Sequence, residues 1–211
     1  MTVKVTVRNT REGVELERKL KELAGLTVRI GYQRGVDFVD FDEVEKVHKE
    51  RQKAKKKKGK GTSSTETLPR QGPAFPGSKR KAEKGDETKV DMCDIAMWNE
   101  LGTRKAPSRP FLRMSVDENE DTIKSFVTRE FKDFIHGRMT VKDLLNRLGV
   151  FQTGLVQRKI RDGKYAALSP YTIAQKGSDR PLIDTGRMRQ SVHHQVMTVA
   201  EAESLDNETI K

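Results

Sequence analysis

The sequence predicts an α+β fold: a small antiparallel sheet packed with helices, plus a long flexible basic insertion. Short segments of alternating apolar residues indicate strands near both ends of the chain, and apolar residues spaced three or four apart indicate helices between them. One internal segment has neither pattern. Hydrophobic residues make up 34% of the chain and charged residues 35%. This balance is low in apolar residues for a compact enzyme, so part of the chain should contribute nothing to a core.

The opening of the chain predicts a strand, a helix and a second strand. Residues 3–7 alternate valine with polar residues, as half-buried strands do. Leucines at helical spacing then occupy 16–23, and Gly25 suits the end of that helix. Residues 26–32 alternate again, which predicts the second strand.

A further helix is predicted from Phe38, where apolar residues recur every third position as far as Val47, and it is expected to run into the lysines at 55–58. Its acids come early and its lysines late, an order that complements the helix dipole. Residues 49–89, which include the end of that helix, are rich in Lys, Gly and Pro and contain 14 Lys or Arg against five Asp or Glu. This segment therefore carries +9 of the net charge of +11, and we expect it to be disordered.

Order is expected to resume near Val90, so that residues 1–48 and 90–199 form a single α+β domain. Residues 192–199 predict the last strand, and residues 200–211 an acidic tail. Helices are predicted at 95–101, with Ile95, Trp98 and Leu101 on its apolar face, and at 123–135, 140–148 and 169–177.

Two helix starts have recognisable caps. Thr140 and Asp143 have the spacing of a capping box, and Ser169 precedes a first-turn proline in a short helix that Gly177 ends.

No cofactor, metal or catalytic site is predicted. The stretch "GKGTSS" at 59–64 fails as a phosphate-binding loop, because Ala54 stands where a glycine is required and Gly61 where a magnesium-binding hydroxyl is required. His193 and His194 are adjacent on a predicted strand, so they point to opposite faces and cannot chelate one metal together. The single Cys93 has no partner for an internal disulfide.

The stretch "PLIDTG" at 181–186 has two interpretations. Aspartic proteases present a catalytic carboxylate in an Asp-Thr-Gly sequence, and a homodimer could supply the second acid. Against this, few residues follow Gly186 and Arg187 places a cation beside the acid. Alternatively, Asp184 or Thr185 caps a short helix and Gly186 allows a tight turn.

The stretch "ELGTRKAPSRPFLRMS" at 100–115 also has two interpretations. Its two prolines restrict Ala106 and Arg109 to extended geometry, so residues 105–110 are expected to form a strap. As a structural clip, the strap would be anchored on Phe111 and Leu112. As a functional surface, it would present a rigid basic edge to a neighbouring subunit or to DNA, through Arg104, Lys105, Arg109 and Arg113.

Two islands of the sequence resemble a known family. "IAMWNELGTRKAPSRPFLRMS" (95–115) and "IRDGKYAALSPYTIAQKGSDRPLIDTGRMRQSV" (160–192) are similar, in order and chemistry, to neck and tail-completion proteins of tailed bacteriophages, of the gp10-like, virion-morphogenesis type. "TVRIGY" (27–32) fits the same pattern more weakly. The chain departs from the family in the length of its insertion and in Leu101, where an aromatic residue is usual.

The resemblance implies a non-enzymatic virion structural protein that completes the tail or joins it to the head as a ring-forming neck subunit. Its partners would be copies of itself and other neck, connector or tail proteins, with non-specific contact to packaged DNA and none to a membrane. It would be found in the virion neck or tail end, and in the host cytoplasm during assembly.

The lysine-rich segment provides the alternative function, sequence-independent nucleic-acid binding. Without interleaved aromatic residues such binding would not read bases. A flexible arm would then meet DNA phosphates or an acidic protein through Lys55, Lys56, Lys57, Lys58, Lys60, Lys79, Arg80 and Lys81.

Overall fold

A computed structural model describes residues 10–58, 89–104 and 106–209. It confirms the predicted α+β class, with short antiparallel strands among helices. The helices are α1 (Arg11–Ala24), α2 (Phe41–Lys58), α3 (Met92–Leu101), α4 (Phe111–Asp117), α5 (Glu120–Ile135), α6 (Val141–Asp162), α7 (Pro170–Lys176), α8 (Arg187–Gln190) and α9 (Val199–Thr209). The strands are β1 (Leu26–Gly31), β2 (Phe38–Asp40), β3 (Lys89–Asp91) and β4 (His193–Thr198).

The described chain divides into two compact units, where the sequence predicted one domain. Unit 1 takes its residues from Met1–Gly31, Val116–Leu155 and His193–Lys211, and unit 2 from Tyr32–Ser115 and Val156–Val192. Each unit contains one two-stranded antiparallel sheet, β1–β4 in unit 1 and β2–β3 in unit 2.

Unit 1 has an apolar core between helices and its sheet. In the sheet, Leu26 of β1 lies opposite Thr198 of β4, and Gly31 opposite His193. The predicted capping box at the start of α6 is confirmed. The Thr140 backbone N–H donates to the Asp143 carboxylate and the Asp143 N–H donates to the Thr140 hydroxyl, each at a distance of 3.1 Å. The buried core residues are Phe134, Met139, Val141, Leu144 and Leu145, with Leu23, Leu26, Val28, Phe131 and Val196 packed against them.

A glycine in α6 leaves room for one of the two adjacent histidines of unit 1. A Cβ atom on Gly149 of α6 would lie 2.3 Å from the ring atom Cδ2 of His194. The missing side chain therefore lets the imidazole of His194 lie directly against the helix. Both His193 and His194 are half-buried.

Unit 2 begins with the β2–β3 pair, in which Phe38 lies opposite Asp91. Asp91 caps α3, because its side chain accepts a hydrogen bond from the Cys93 backbone N–H at 2.8 Å. At the start of α7, Ser169 accepts from the Thr172 N–H at 3.2 Å, and α7 ends at Gly177 with a φ of 70°. The predicted α7 and both of its end residues are therefore confirmed.

Three predicted boundaries are wrong. Phe38 lies in a strand rather than a helix, because it pairs with residues that follow it by about fifty positions and local spacing does not reveal this. Helix α2 runs into the lysines as expected and continues through Lys58, so the insertion cannot start at residue 49; the late lysines suit a helix C-terminus. Most of the expected acidic tail, 200–211, is helix α9.

The start of α9 has a physical reason that the sequence already contained. Thr198 and Glu201 form a capping box: the Thr198 N–H donates to the Glu201 carboxylate at 2.8 Å, and the Glu201 N–H donates to the Thr198 hydroxyl at 3.2 Å. Thr-x-x-Glu after an alternating strand is a start signal that the prediction of a tail overlooked.

The buried face of α3 also differs from the prediction, which used Ile95, Trp98 and Leu101. Met92 and Ala96 are the buried residues of this helix, whereas Leu101 is 65% exposed. The predicted strand at 3–7 and most of the predicted insertion, residues 59–88, lie outside the described residues.

Candidate functional site: a polar junction in unit 2

One carboxylate connects the two helices of the first island. Glu100, near the end of α3, accepts hydrogen bonds from the backbone N–H groups of Leu112 at 2.9 Å and Arg113 at 3.0 Å. These groups belong to the first turn of α4, whose N–H groups have no acceptor inside the helix. Glu100 therefore caps a helix that begins eleven residues after it.

The turn between Glu100 and α4 requires a glycine. Gly102 has a φ of 80° and a ψ of 175°, a region that is almost closed to other residues, and a Cβ atom there would lie 2.7 Å from the Ser108 nitrogen. Thr103 and Ala106 exchange backbone hydrogen bonds of 2.8 and 3.3 Å. Thr103 and Ala106 therefore close a turn where the strap begins, and the extended course predicted for 105–110 stays a prediction.

The strap is tied back to α3 and to the interior of unit 2. The Ser108 hydroxyl donates to the Glu100 carbonyl at 2.6 Å, and the Arg109 N–H donates to the Asn99 carbonyl at 2.7 Å. Phe111 has no exposed surface and its ring meets the edge of Tyr32 at a centroid distance of 6.2 Å, while Leu112 is half-buried. These contacts define a structural clip.

The four cations predicted to form a basic edge do not all lie at the surface. Arg104 and Arg113 are exposed, as a partner-facing role requires, and Lys105 lies outside the described residues. Arg109 is only 7% exposed, and its Nε and Nη2 donate to the Ala166 carbonyl at 3.4 and 3.5 Å. Because its side chain is covered by the 160–192 island, we remove Arg109 from the exposed edge.

The second island is held by a carboxylate that sequence reasoning had assigned to a protease or a cap. Asp184 Oδ2 lies 2.7 Å from Nε2 of His48, and Oδ1 accepts from Nη1 of Arg51 at 2.9 Å. Arg51 Nη2 also donates to the Asp184 carbonyl at 2.9 Å. Asp184 thus ties α2 to the 181–186 turn, and the side chains bound to it are those of a histidine and an arginine rather than the second acid of a protease pair.

The local cap at this turn is weaker than predicted. The Thr185 hydroxyl accepts from the Arg187 N–H at 3.5 Å, while Gly186 precedes α8 with a φ of 85° and provides no side-chain cap. Arg187 is drawn away to β2 and α2, where it donates to Phe38 O at 3.3 Å and to Glu43 at 2.7 Å. Gly186 does allow the tight turn, as expected.

Burial shifts the pKa values of several ionisable groups in unit 2. Burial lowers the pKa of Lys176, whose ammonium donates to the Arg180 carbonyl; the Asp184 charge acts in the opposite direction. Burial, reinforced by the charge of Glu100, raises the pKa of Tyr32, whose hydroxyl donates to the Met188 carbonyl at 2.9 Å. Burial also raises the pKa of the Cys93 thiol to about 11, and Asp91 adds to this.

The sequence contained one signal for this junction that was not used. His48 and Arg51 are three residues apart and therefore lie on one face of α2. Gln52 beside them donates to the Ala174 carbonyl at 3.1 Å, so this face of α2 binds the second island at several points. Their acceptors lie more than 120 residues along the chain, beyond the reach of local patterns.

The predicted basic arm is only partly described. The backbone of Lys55, Lys56, Lys57 and Lys58 forms the end of α2, whereas Lys60, Lys79, Arg80 and Lys81 lie outside the described residues.

Among the described residues, no three His, Cys, Asp or Glu side chains are arranged to hold a metal ion. No helix in that part of the chain has the length and apolarity to cross a bilayer. Comparisons of the chain with protein-family models, curated proteins and solved structures find no match.

Proposed function

We propose that this chain is a virion structural protein that completes a phage tail or joins the tail to the head as a ring-forming neck subunit. Support comes from the two islands of resemblance, which fold together in unit 2: Arg109 of the first donates to Ala166 of the second. The proposed role is assembly, without catalysis or a cofactor.

The observation that carries this proposal is an exposed edge set by the clip. Met97 and Leu101, one helical turn apart on α3, are 45% and 65% exposed, and Arg104 and Arg113 are exposed on either side of the strap. Methionine and arginine are enriched in protein interfaces, in which an apolar centre is surrounded by a polar rim. We call Met97, Leu101, Arg104 and Arg113 the clip edge.

A ring is built from repeated copies of one contact, so a pre-organised edge lowers the ordering cost of each contact. Glu100 precedes Leu101 in α3 and binds the backbone of Arg113, so one carboxylate connects Arg113 to the helix that carries Met97 and Leu101. The proposed partners are neighbouring copies of the chain and other neck, connector or tail proteins. The proposed location is the virion neck or tail end, after assembly in the host cytoplasm.

The test is electron microscopy of phage particles produced without this gene and complemented with variants. Separate heads and tails, joined again by the supplied wild-type protein, are the expected result. Leu101→Asp should fail to complement, because it places a charge in the apolar centre of the clip edge.

The matched control is Lys124→Glu, which reverses an exposed charge on α5 of unit 1. It should complement as well as wild type. Normal joined particles without the gene would overturn the proposed function, and full activity of a folded Leu101→Asp protein would overturn the role of the clip edge.

A second candidate function, sequence-independent DNA binding, is favoured by the end of α2. Residues 53–58 contain five lysines and no acid, and they form the last turns of a helix. Binding through phosphate contacts would weaken steeply with salt and ignore base sequence. Titration of labelled duplex DNA at two salt concentrations tests this, and a chain lacking residues 59–88 separates the helix end from the segment that follows it.

A further inference from the structure

Backbone hydrogen bonding in the sheet of unit 1 alternates along β1. The Val199 N–H donates to the Gly25 carbonyl at 3.1 Å, and these two residues continue the β1–β4 register by one position. Because bonded and non-bonded pairs alternate in an antiparallel ladder, the backbone groups of Leu26, Val28 and Ile30 point away from β4. Within the residues that the structure describes, these outward groups have no hydrogen-bond partner. The outer edge of β1 can therefore accept another strand.

The outer edge of β4 is less open. The N–H of Thr198 points away from β1, and it already donates to the Glu201 carboxylate at 2.8 Å in the capping box of α9. One end of the β4 edge is therefore engaged by the helix that follows it, so a further strand would pair with β1.

The face of β1 that an added strand has to match is apolar. Leu26 and Val28 pack against the core cluster of unit 1, as does Leu23 of α1. Side chains alternate along a strand, so Ile30 lies on this same face and Thr27 on the opposite one. A strand beside β1 would therefore need an apolar residue at every second position, on the side of α1.

Helix α1 is incompletely covered on its own apolar face. Leu16, Leu20 and Leu23 lie on that face, at spacings of four and three residues. None of the 14 described residues of α1 is buried, and Leu20 is 41% exposed. A strand that turned apolar side chains towards α1 would cover this surface.

The residues that precede the described part of the chain have the required pattern. Val3, Val5 and Val7 alternate with Lys4 and Thr6, so one face of the segment is apolar and the other polar. Two residues separate this segment from the N-cap of α1. Parallel strands require a connection of about a dozen residues or more, usually a helix, and α1 provides one of 14 residues.

We propose that residues 3–7 add to the outer edge of β1 as a parallel strand and complete a three-stranded sheet. Val5 then lies on the face that carries Val28 and covers the apolar side of α1, while Lys4 and Thr6 lie on the opposite face. The edge of β1 is closed by a segment of the same chain, so it is not open to pairing with another protein. This inference concerns unit 1 alone and does not depend on the proposed role in the virion.

Nuclear magnetic resonance of the full-length wild-type protein tests the pairing directly. Nuclear Overhauser contacts should join the valine methyl groups of residues 3–7 to the methyl groups of Leu26, Val28 or Ile30, because side chains on adjacent strands approach closely. The contacts should persist on dilution. A mixture of isotope-labelled and unlabelled chains should show none between different molecules.

Amide hydrogen exchange in two variants supplies a second measurement. Val5→Asp places a charge on the apolar face, and should make the amides of Val28 and Ile30 exchange at least about tenfold faster. Thr6→Asp is the matched control, since it introduces the same residue on the opposite face, and both rates should stay within about twofold of wild type. The amide of Thr27 points towards β4 and should stay protected in both variants, which shows that the β1–β4 pair is folded.

Three results would contradict the proposal. The first is the absence of methyl contacts between residues 3–7 and β1 in the wild-type protein. The second is an unchanged exchange rate at Val28 in a folded Val5→Asp protein. The third is a set of contacts between different molecules only, which would assign the edge to a neighbouring copy.

If Val5→Asp does not fold, the wild-type contacts decide the outcome alone. None of these results bears on whether heads and tails join, so this proposal and the proposed function can fail separately.

Discussion

Each of the two units of this chain is stabilised internally by its own kinds of contact. Unit 1 relies on an apolar cluster, in which Phe134 and Val141 are almost fully buried beside a two-stranded sheet. Unit 2 also buries apolar side chains, Phe111 among them, and polar ties fix its loops, whereas the tie between Glu130 and Arg147 in unit 1 joins two helices. Glu100 caps α4, and Asp184 joins α2 to the 181–186 turn.

The two kinds of contact should differ in how well they tolerate substitutions. Apolar contacts are not directional, so unit 1 should tolerate changes that preserve volume. Polar ties require particular donors at particular distances, so the loops of unit 2 should be sensitive to single atoms. A protein that has to present an edge reproducibly benefits from the second arrangement.

The largest expected effect is the loss of an aromatic ring from either interior. Phe111→Ala should lower the free energy of unfolding by about 3–5 kcal/mol, since it leaves a cavity where the ring has no exposed surface. Chemical denaturation followed by Trp98 fluorescence measures this in unit 2. Phe134→Ala is the matched change in unit 1, and should cost a similar amount by circular dichroism. A cost below about 1 kcal/mol at Phe111 would contradict its role as the strap anchor.

Gly102→Ala tests how much the turn of the clip contributes to the stability of unit 2. The backbone at Gly102 is one that L-residues avoid, and a Cβ atom would meet the Ser108 nitrogen. We expect a loss of about 1–3 kcal/mol, measured by the same denaturation. Gly154→Ala is the control, because this glycine is helical and a Cβ atom there meets nothing within 4 Å. It should be neutral or stabilising, and equal losses in the two variants would contradict the strain at Gly102.

Asp184→Asn tests the polar tie between α2 and the second island. The change removes the charge shared by His48 and Arg51, and should cost about 1–2 kcal/mol, because the group is half-exposed and partly screened. Glu120→Gln, in an exposed helical pair with Lys124, should cost less than about 0.5 kcal/mol. A loss at Asp184 no larger than that control would mean that the tie adds little stability to unit 2.

The effect at Cys93 appears only at high pH and has a definite sign. Its folded pKa of about 11 lies above the ordinary thiol value of 9.0, so the folded state favours the neutral thiol. The corresponding stability is present below pH 9 and is lost as pH rises towards 11. The unfolding midpoint should therefore fall over this range by less in Cys93→Ala than in wild type. The thiol of the folded protein should also be alkylated slowly at pH 8, and a rate equal to that of the unfolded chain would contradict the shift.

Local signals predicted much of unit 1 and less of unit 2. The α1 helix with Gly25 at its end, the strands β1 and β4, and the capping box at Thr140 were all readable because each signal involves neighbouring residues. The β2 strand was missed, since its partner β3 comes about fifty residues later. Arg109 was expected at the surface because charge alone does not reveal what another segment covers.

The sequence by itself determined where most helices and strands form, since caps, turns and apolar spacing act over a few residues. It also supplied the two islands and the glycine that their clip requires. Only the tertiary structure decided that Glu100 caps α4 from another helix, that Asp184 binds α2, and that Arg109 lies beneath the second island. Each of these depends on which segments become neighbours after folding, and the burial and hydrogen bonding of a charged side chain are set by those neighbours rather than by its position in the chain.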